Sequence, residues 1–264
     1  IVMRVWVLVK LSLDTSQLRF SGDKVLIEET PLRINDVDRN AVEEAVRLKE
    51  KGIAKQVNIL TVLKYPPLKD RVKEADGLIR QLLAMGADEA YVIADDALIL
   101  TDPVATSIVA SEVLKANGYD IIIAGEASID GYSGQVPAMV AARLGIPVVT
   151  YVKELTINNG TVTAKRDLDN ETQVVASKVP LVISVTREIN TPRIPTVIQI
   201  RLAIKKPIKL LTLNDINVRI NRAINVKNIK AVQVRRRGII IDSGSVEEKA
   251  DKLIEYLVKD NALR

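Results

Sequence analysis

The chain has 264 residues, 47% hydrophobic and 27% charged, with a net charge of +5, which favours a large folded core over disorder. Because it contains no cysteine and no histidine, disulfides, thiolate nucleophiles and histidine-based metal or acid–base sites are excluded, and no metal site is predicted. The longest apolar runs are far shorter than the roughly 20 residues of a membrane-spanning helix, so we expect a cytoplasmic protein without membrane insertion.

The first half of the chain alternates predicted strands with predicted helices. Apolar runs between turns predict buried strands, and apolar residues at helical spacing, ended by glycines, predict helices. In chain order these are strands at 4–10 and 25–27, a helix at 38–51, a strand at 57–62, a helix at 68–85, a strand at 91–94, a helix at 103–117, a strand at 121–124 and a helix at 135–144. This order predicts a doubly wound, mostly parallel α/β sheet.

The second half adds antiparallel strands and then loses its pattern. Asn158-Asn159-Gly160 predicts a hairpin turn between strands at 152–157 and 161–165, and further strands are expected at 172–176 and 181–185. Two prolines make 190–196 a stiff exposed loop. Beyond Leu213 the pattern weakens until a helix at 246–258. We therefore divide the chain into an α/β domain, 1–214, and a C-terminal arm and helix, 215–264.

The loop that follows the strand at 121–124 carries the clearest chemical signal. Its glycines let a ligand approach the backbone, its hydroxyls can donate hydrogen bonds, and the free N–H groups of the next helix favour an anion such as phosphate. Asp130 can accept a hydrogen bond from a ribose hydroxyl or an adenine amine, or can cap the helix. The residues concerned are Gly125, Ser128, Asp130, Gly131, Ser133, Gly134 and Gln135.

These residues can equally be plain turn residues that end a strand. Two other polar loops favour a ligand site. One is Asn35–Asp38, which leads into a predicted helix, and the other is Thr101–Ser107, which opens the predicted helix at 103–117. All three loops should lie along the same edge of the sheet, where open α/β proteins bind their ligands. The sequence therefore predicts a nucleotide cleft at this edge.

Four sequence motifs in a fixed order cover most of the chain, from Val5 to about Ile208. They are Asn35-x-x-Asp38 with Ala41-x-Glu43, Ala84-Met-Gly-Ala-Asp88, Asp120–Gly125 with Ser128-x-Asp130-Gly131-x-x-Gly134-Gln135, and Asn190-x-Pro192-Arg193 followed by Lys205-Lys206. Together they resemble the β subunit of electron transfer flavoproteins. The resemblance implies an adenine-nucleotide α-hydrolase-like fold and a heterodimer with an α subunit that carries FAD.

The resemblance also implies a second nucleotide site in this chain, which holds AMP in simple carriers and a second FAD in electron-bifurcating members. Asp102-Pro-Val-Ala-Thr106-Ser107 looks like the segment of bifurcating members whose hydroxyls face the second flavin, and we therefore favour FAD over AMP. Matched by position, the predicted site residues are Leu8, Asn35, Asp38, Val62, Asp102, Thr106, Ser107, Gly125, Ser128, Asp130, Gly131, Ser133, Gly134 and Gln135.

The segment Ile189–Val197 resembles the loop through which this family recognises its partner enzymes. The resemblance makes Ile189 the expected apolar anchor, with Asn190, Pro192 and Arg193 beside it. The expected partners are dehydrogenases and quinone oxidoreductases, with NADH or a ferredoxin pathway as further possible donors or acceptors. A plain proline-rich surface turn is the alternative.

The predicted function is electron transfer by a bound flavin, with no catalytic side chain in this chain. A nucleotide-binding module of the universal-stress type, without redox activity, is the rival. Nucleic-acid binding would rest on the net charge and on Arg235–Arg237, which have no interleaved aromatic residues, so a solvated or subunit-facing edge is favoured there. Asp167 and Asp169 are interpreted as turn residues and not as an acid–base pair. The composition suits a thermophile.

Overall fold

The computed structural model describes residues 3–231 and 238–263. Within them lie thirteen strands and six α-helices. In chain order they are β1 Met3–Leu8, β2 Leu11–Leu13, β3 Phe20–Ser21, β4 Lys24–Val25, β5 Leu32–Ile34, α1 Asp36–Glu50, β6 Ala54–Val62, α2 Leu68–Met85, β7 Glu89–Ile93, α3 Pro103–Asn117, β8 Ile121–Gly125, α4 Val136–Leu144, β9 Val148–Asn158, β10 Thr161–Leu168, β11 Glu171–Lys178, β12 Leu181–Val185, α5 Val197–Ala203, β13 Ile208–Leu211 and α6 Val246–Lys259.

Nine strands form one sheet in the order β11-β10-β9-β12-β8-β1-β6-β7-β13. From β9 to β13 every neighbouring pair in that order is parallel, whereas β10 runs antiparallel to both β9 and β11. The predicted doubly wound, mostly parallel α/β sheet with added antiparallel strands is confirmed.

The core consists of two apolar layers, one on each face of the sheet. Successive side chains of a strand point to opposite faces, so Val5 and Val7 of β1 join the layer under α1 and α2, while Trp6 joins the layer under α3 and α4. The Trp6 indole packs against Tyr91 with ring centroids 4.9 Å apart and donates a hydrogen bond to the Gly118 carbonyl at 2.9 Å. Because β1 buries side chains on both faces of the sheet, helices must cover both faces.

Most predicted elements lie where the sequence placed them. Helices α2 and α3 have the predicted bounds, and the loop 190–196 contains no helix or strand. The hairpin near Val25 pairs β3 with β4, and Ile27 begins a 3₁₀ turn instead of extending the strand. Four elements were missed: the three-residue strands β2 and β5, helix α5 and strand β13. Helix α5 is only seven residues long, and of its residues only Ala203 is buried, so it has no amphipathic pattern to detect.

The structure divides into two compact units after Lys230. In the first unit, Ile216, Val218 and Ile220 pack against the core layer of Trp6, beyond the predicted boundary at residue 214. In the second unit, Ser245 caps α6, and Ser245 and Glu248 form a capping box, as the sequence signal favours. The predicted packing of this arm on an α subunit stays a prediction.

Three further observations bear on the predicted classes of function. No helix in the described parts of the chain is long and apolar enough to cross a membrane. Across residues 3–231 and 238–263, no group of three or more acidic side chains is arranged to hold a metal ion. The basic run Arg235–Arg237 lies outside the described residues.

Candidate functional site

A cleft opens at the carboxyl ends of β1, β6 and β8. Its volume is about 790 Å³, including the mouth that is open to solvent. In the sheet, β1 lies between β6, the next strand of this sheet along the chain, and β8, which the chain reaches only after β7. The cleft therefore lies at the switch point of the strand order, where such sheets bind ligands. Its walls are formed by Leu8, Val9, Lys10, Asn35, Asp38, Leu60, Val62, Lys64, Pro103, Thr106, Ala110 and parts of the segment from Ala124 to Pro137.

Asp38 ties together three elements at the base of the cleft. Its side chain is buried and accepts hydrogen bonds from the backbone N–H of Lys10 at 2.7 Å and of Gly125 at 3.0 Å. Burial raises the pKa of Asp38 to about 7, although these hydrogen bonds oppose the shift. Gly125 is required by the close approach, because a Cβ there would lie 2.3 Å from the Asp38 Oδ1. Asp38 therefore fixes the start of α1 against the ends of β1 and β8.

Asn35 holds the loop that follows β8. It precedes α1 and is buried, and its side-chain amide donates to the Ala127 carbonyl at 2.9 Å while its oxygen accepts from the Ile129 N–H at 3.1 Å. Both ends of this side chain are thus committed to loop backbone. The sequence placed Asn35 in the site, and the structure shows that it can shape the wall by positioning that loop.

Asp130 lies behind the cleft wall. Its side chain is 4% exposed, and it pairs with the Lys10 ammonium at 2.5 Å and accepts from the Tyr65 hydroxyl at 2.6 Å and the Leu13 N–H at 3.1 Å. Burial alone would raise the pKa of Asp130, but the Lys10 charge and these hydrogen bonds lower it below its usual range. Asp130 does not cap α4, whose N-cap residue is Gln135, and its predicted contact with a ligand stays a prediction.

The predicted phosphate loop leaves backbone donors free on the cleft side. Ser133 and Gly134 line the cleft, and their N–H groups form no hydrogen bond within the described chain. Gly134 has a φ of +61° and a Cβ there would lie 3.2 Å from the Glu126 carbonyl oxygen, so a glycine is needed. Gln135 also lines the cleft just before α4 begins. Free N–H groups in this position can bind phosphate oxygens.

The start of α3 contributes one of its two predicted hydroxyls. Thr106 lines the cleft, with its hydroxyl 3.3 Å from the Asp102 carbonyl oxygen. Ser107 is fully buried and does not reach the cleft, because its hydroxyl donates to the Val104 carbonyl and accepts from Arg143 Nε at 3.0 Å. One residue along a helix turns the side chain by about 100°. Asp102 caps α3 by accepting from the Ala105 N–H at 2.9 Å, and it is outside the wall as well.

The structure thus brings most of the predicted site residues together and leaves some behind the wall. The residues that line the cleft are Leu8, Asn35, Asp38, Val62, Thr106, Gly125, Ser128, Ser133, Gly134 and Gln135. Those that do not are Asp102, Ser107, Asp130 and Gly131. Sequence analysis missed Lys10, Lys64 and Glu126, which also line the cleft. Their only sequence signal is that each follows a strand of the parallel sheet.

The predicted partner loop is fastened to α1. Arg193 forms hydrogen-bonded ion pairs with Glu43, at 2.8 Å, and with Glu50, at 2.5 Å, and the Asn190 amide donates to the Asn40 carbonyl at 3.0 Å. The hydrogen bonds that its guanidinium donates to Glu50 and Glu43 raise the pKa of Arg193 further above its already high range. Arg193 and Asn190 therefore hold the loop in place.

The predicted anchor of this loop, Ile189, is less exposed than a second apolar side chain, Ile194. Ile189 is half-buried and packs against the core, whereas Ile194 is 92% exposed at the tip of the same loop. The exposed apolar surface continues along α5, where Val197, Ile198, Ile200 and Leu202 are exposed. Ile194 is therefore the most exposed apolar side chain of the loop 190–196, and the predicted partner contact of Ile189 stays a prediction.

Fold and cleft define the class of the protein: a doubly wound α/β protein with a cleft at the carboxyl ends of its parallel strands. Residues 23–216 match the family model described as "Electron transfer flavoprotein domain". Our chain therefore belongs to the electron transfer flavoprotein family, among its β subunits.

The individual relatives cover nearly the whole chain. The electron transfer flavoprotein subunit beta of Thermoanaerobacterium thermosaccharolyticum is 34% identical over 264 residues, which cover 97% of this chain and 98% of the relative. The subunit of the same name from Clostridium acetobutylicum is 32% identical, covering 98% and 99%. Subunit CarD of the caffeyl-CoA reductase–Etf complex from Acetobacterium woodii is 32% identical over 219 residues, covering 82% of this chain and 80% of the relative.

Proposed function

We propose that this chain is the nucleotide-binding partner of an FAD-carrying α subunit in a cytoplasmic heterodimer, and that its own cleft holds a second FAD. The heterodimer passes electrons between dehydrogenases or NADH and a quinone or ferredoxin pathway. When bound, a flavin supplies the redox chemistry. The chain itself binds, orients and shields the nucleotide, and no side chain needs to react.

The observation that carries this proposal is the shape of the cleft, which has two chemically different halves. The segment from Gly125 to Gln135 offers free backbone N–H groups and hydroxyls for phosphate. The opposite half is lined by the apolar Leu60, Val62, Pro103 and Ala110, with the hydroxyl of Thr106 and, at the end of β6, the ammonium of Lys64. AMP needs only the first half and a place for adenine, whereas an apolar extension with one hydroxyl suits a flat ring system.

The name of one relative supports the proposal that this chain works in an assembly with other redox proteins. One similar protein is named as a subunit of a caffeyl-CoA reductase–Etf complex. A chain that resembles it over 82% of its own length is expected to work in an assembly with a dehydrogenase or reductase. The alternative is a simple carrier with one FAD in the α subunit and AMP in this cleft. The flavin content of the heterodimer distinguishes this alternative from the proposal.

We expect Gly134→Ala to remove the nucleotide from this chain's cleft. The added methyl group would lie 3.2 Å from the Glu126 carbonyl oxygen, at a φ of +61°, and would disturb the free N–H groups of the phosphate loop. The measurement is the nucleotide released on denaturing the purified heterodimer, identified by chromatography. The FAD of the α subunit should remain, so the total should fall by one nucleotide per heterodimer.

Gly145→Ala is the matched control for this change. Gly145 has a similar φ of +66°, but no atom lies within 4 Å of its Cβ position, and it is outside the cleft. The control should pay the same backbone strain, about 1 kcal/mol, and keep its nucleotide. Equal nucleotide content in Gly134→Ala and Gly145→Ala would contradict the assignment of the phosphate loop.

We expect Ile194→Ala to slow electron transfer with a partner enzyme while stability stays unchanged. The Ile194 side chain is exposed, so its removal costs the isolated heterodimer little, but it removes apolar contact area from a docked complex. Stopped-flow reduction kinetics with the partner dehydrogenase would show about a tenfold loss or more, the usual range for an anchoring side chain.

Ile189→Ala provides the contrast in the same loop. Ile189 packs against the core, so its truncation should lower the melting temperature of the heterodimer. Its effect on partner kinetics should be smaller than that of Ile194→Ala. If Ile189→Ala slows the partner reaction and Ile194→Ala does not, Ile194 is not the anchor.

A further inference from the structure

Two lysines line the cleft, and only one of them has an acidic partner. The Lys10 ammonium pairs with Asp130 at 2.5 Å and with the Ser128 hydroxyl at 3.0 Å. No carboxylate of the described chain lies within 4.0 Å of the Lys64 ammonium, whose single hydrogen bond goes to the Thr101 carbonyl at 3.4 Å. Lys64 is therefore the cation that the protein leaves without a counter-charge in this cleft.

The surroundings of Lys64 make the unpaired charge of its ammonium group energetically unfavourable. Burial and, after it, repulsion by Lys10 lower the pKa of Lys64 to about 8, while the more distant Asp130 and Asp102 act in the opposite direction. The Tyr65 ring lies 5.7 Å from the ammonium and adds a weak attraction. A largely buried charge with so little compensation is stabilised most by an anion brought from outside.

We propose that Lys64 is a specificity-determining residue of the cleft, whose ammonium binds a phosphate group of the nucleotide and so selects phosphorylated ligands over the neutral nucleoside. This inference rests on the proposed function, since it assumes that the cleft binds a nucleotide. Lys64 follows the end of β6, across the cleft from the loop that bears Ser133 and Gly134. A phosphate or pyrophosphate can therefore be held between backbone N–H groups on one side and an ammonium on the other.

Charge pairing with the ligand makes the affinity depend on pH in one direction. Lys64 is protonated below about pH 8 and loses its charge above it, so phosphate affinity should fall as pH rises through this value, and binding should take up protons there. The other ionisable groups around Lys64 are Lys10 and Asp130 beside the phosphate loop, Tyr65 next to it in the chain, and Asp102 at the start of α3. Asp38 and Glu126 also line the cleft, and they are unchanged in Lys64 variants.

The test uses the heterodimer of the full chain, freed of bound nucleotide by dialysis, and measures the calorimetric Kd of adenosine, AMP and ADP. Lys64→Met should weaken AMP or ADP by about 10- to 100-fold, the usual loss for a charge-assisted hydrogen bond, and leave adenosine unchanged. A loss for both probes places Lys64 at the first phosphate, and a loss for ADP alone places it at the second. Lys64→Arg should restore affinity and remove its fall above pH 8, because arginine stays charged.

Lys69→Met is the matched control, since Lys69 is exposed on α2 and outside the cleft. It should bind all three probes as the unmodified protein does. If Lys64→Met binds AMP and ADP as tightly as the unmodified protein, the role of Lys64 is refuted and the nucleotide site stands. If the unmodified heterodimer binds none of the three probes, the proposed function falls, and the role of Lys64 falls with it.

Discussion

Gly125→Ala should destabilise the chain by about 3 kcal/mol, because the new methyl group takes the space that the Asp38 carboxylate occupies. The ideal Cβ position is 2.3 Å from the Asp38 Oδ1 and 3.1 Å from the Val37 Cβ. Asp38 would have to turn away and give up its hydrogen bonds from the N–H groups of Lys10 and Gly125. Both the stability of the sheet end and the shape of the cleft depend on these bonds.

The free energy of unfolding from urea titration of the heterodimer measures this effect. Gly77→Ala is the control, since Gly77 lies exposed within α2 and has no atom within 4 Å of its Cβ position. That change should be neutral or stabilise by about 0.5–1 kcal/mol, the ordinary gain for alanine in a helix. If Gly125→Ala is as stable as Gly77→Ala, Asp38 does not bind the end of β8 as described.

Arg193→Ala should cost about 2–3 kcal/mol and release the loop 190–196 from α1. Its guanidinium binds Glu43, whose side chain is only 3% exposed, as well as the exposed Glu50. Without Arg193, Glu43 keeps Arg47 as its sole ion-pair partner in the described chain. The buried Glu43 carboxylate loses two of its four hydrogen bonds, which accounts for the larger part of the cost.

Thermal unfolding and limited proteolysis of the loop measure this change. Arg187→Ala is the control, because Arg187 is 64% exposed and its one ion pair in the described chain is a 3.8 Å contact with Asp36. It should alter stability by less than about 0.5 kcal/mol. Similar melting temperatures and cleavage rates for the two variants would show that Arg193 does not hold the loop.

The same ion pair predicts how stability changes in acid. Burial raises the pKa of Glu43, but the hydrogen bonds from Arg193 and Arg47 outweigh it, so the folded pKa lies below the ordinary 4.5. Stability from this pair is therefore present above pH 4.5 and is lost as pH falls through the lowered pKa. Arg193→Ala should lose most of that acid dependence.

Local pattern was enough to predict the sheet and its helices. Helix α3, for example, has a proline at its start, Asp102 as its cap and Gly118 at its end, and these signals are all within the segment itself. Strand β12 is five consecutive buried residues, four of them apolar and the fifth Ser184. By contrast, α5 is too short and too exposed for any periodicity, and β13 is an edge strand whose place depends on pairing with β7.

The site was predicted less completely, because side-chain roles depend on distant contacts. Asp130 was assigned to the ligand, but Lys10 and Tyr65, far away in sequence, occupy its oxygens. Ser107 was assigned to the flavin, but its contact with Arg143 of α4 turns it into the protein. Lys64 stands out only once the structure shows that, within the described chain, no carboxylate lies within 4.0 Å of its ammonium.

The flavin content of the purified heterodimer tests the central claim most directly. The complex of this chain with its α subunit is denatured, and the released FAD and AMP are quantified against the protein. A second FAD in the cleft of this chain predicts two FAD per heterodimer and no AMP. One FAD together with one AMP would contradict it and would make the protein a carrier with a single flavin.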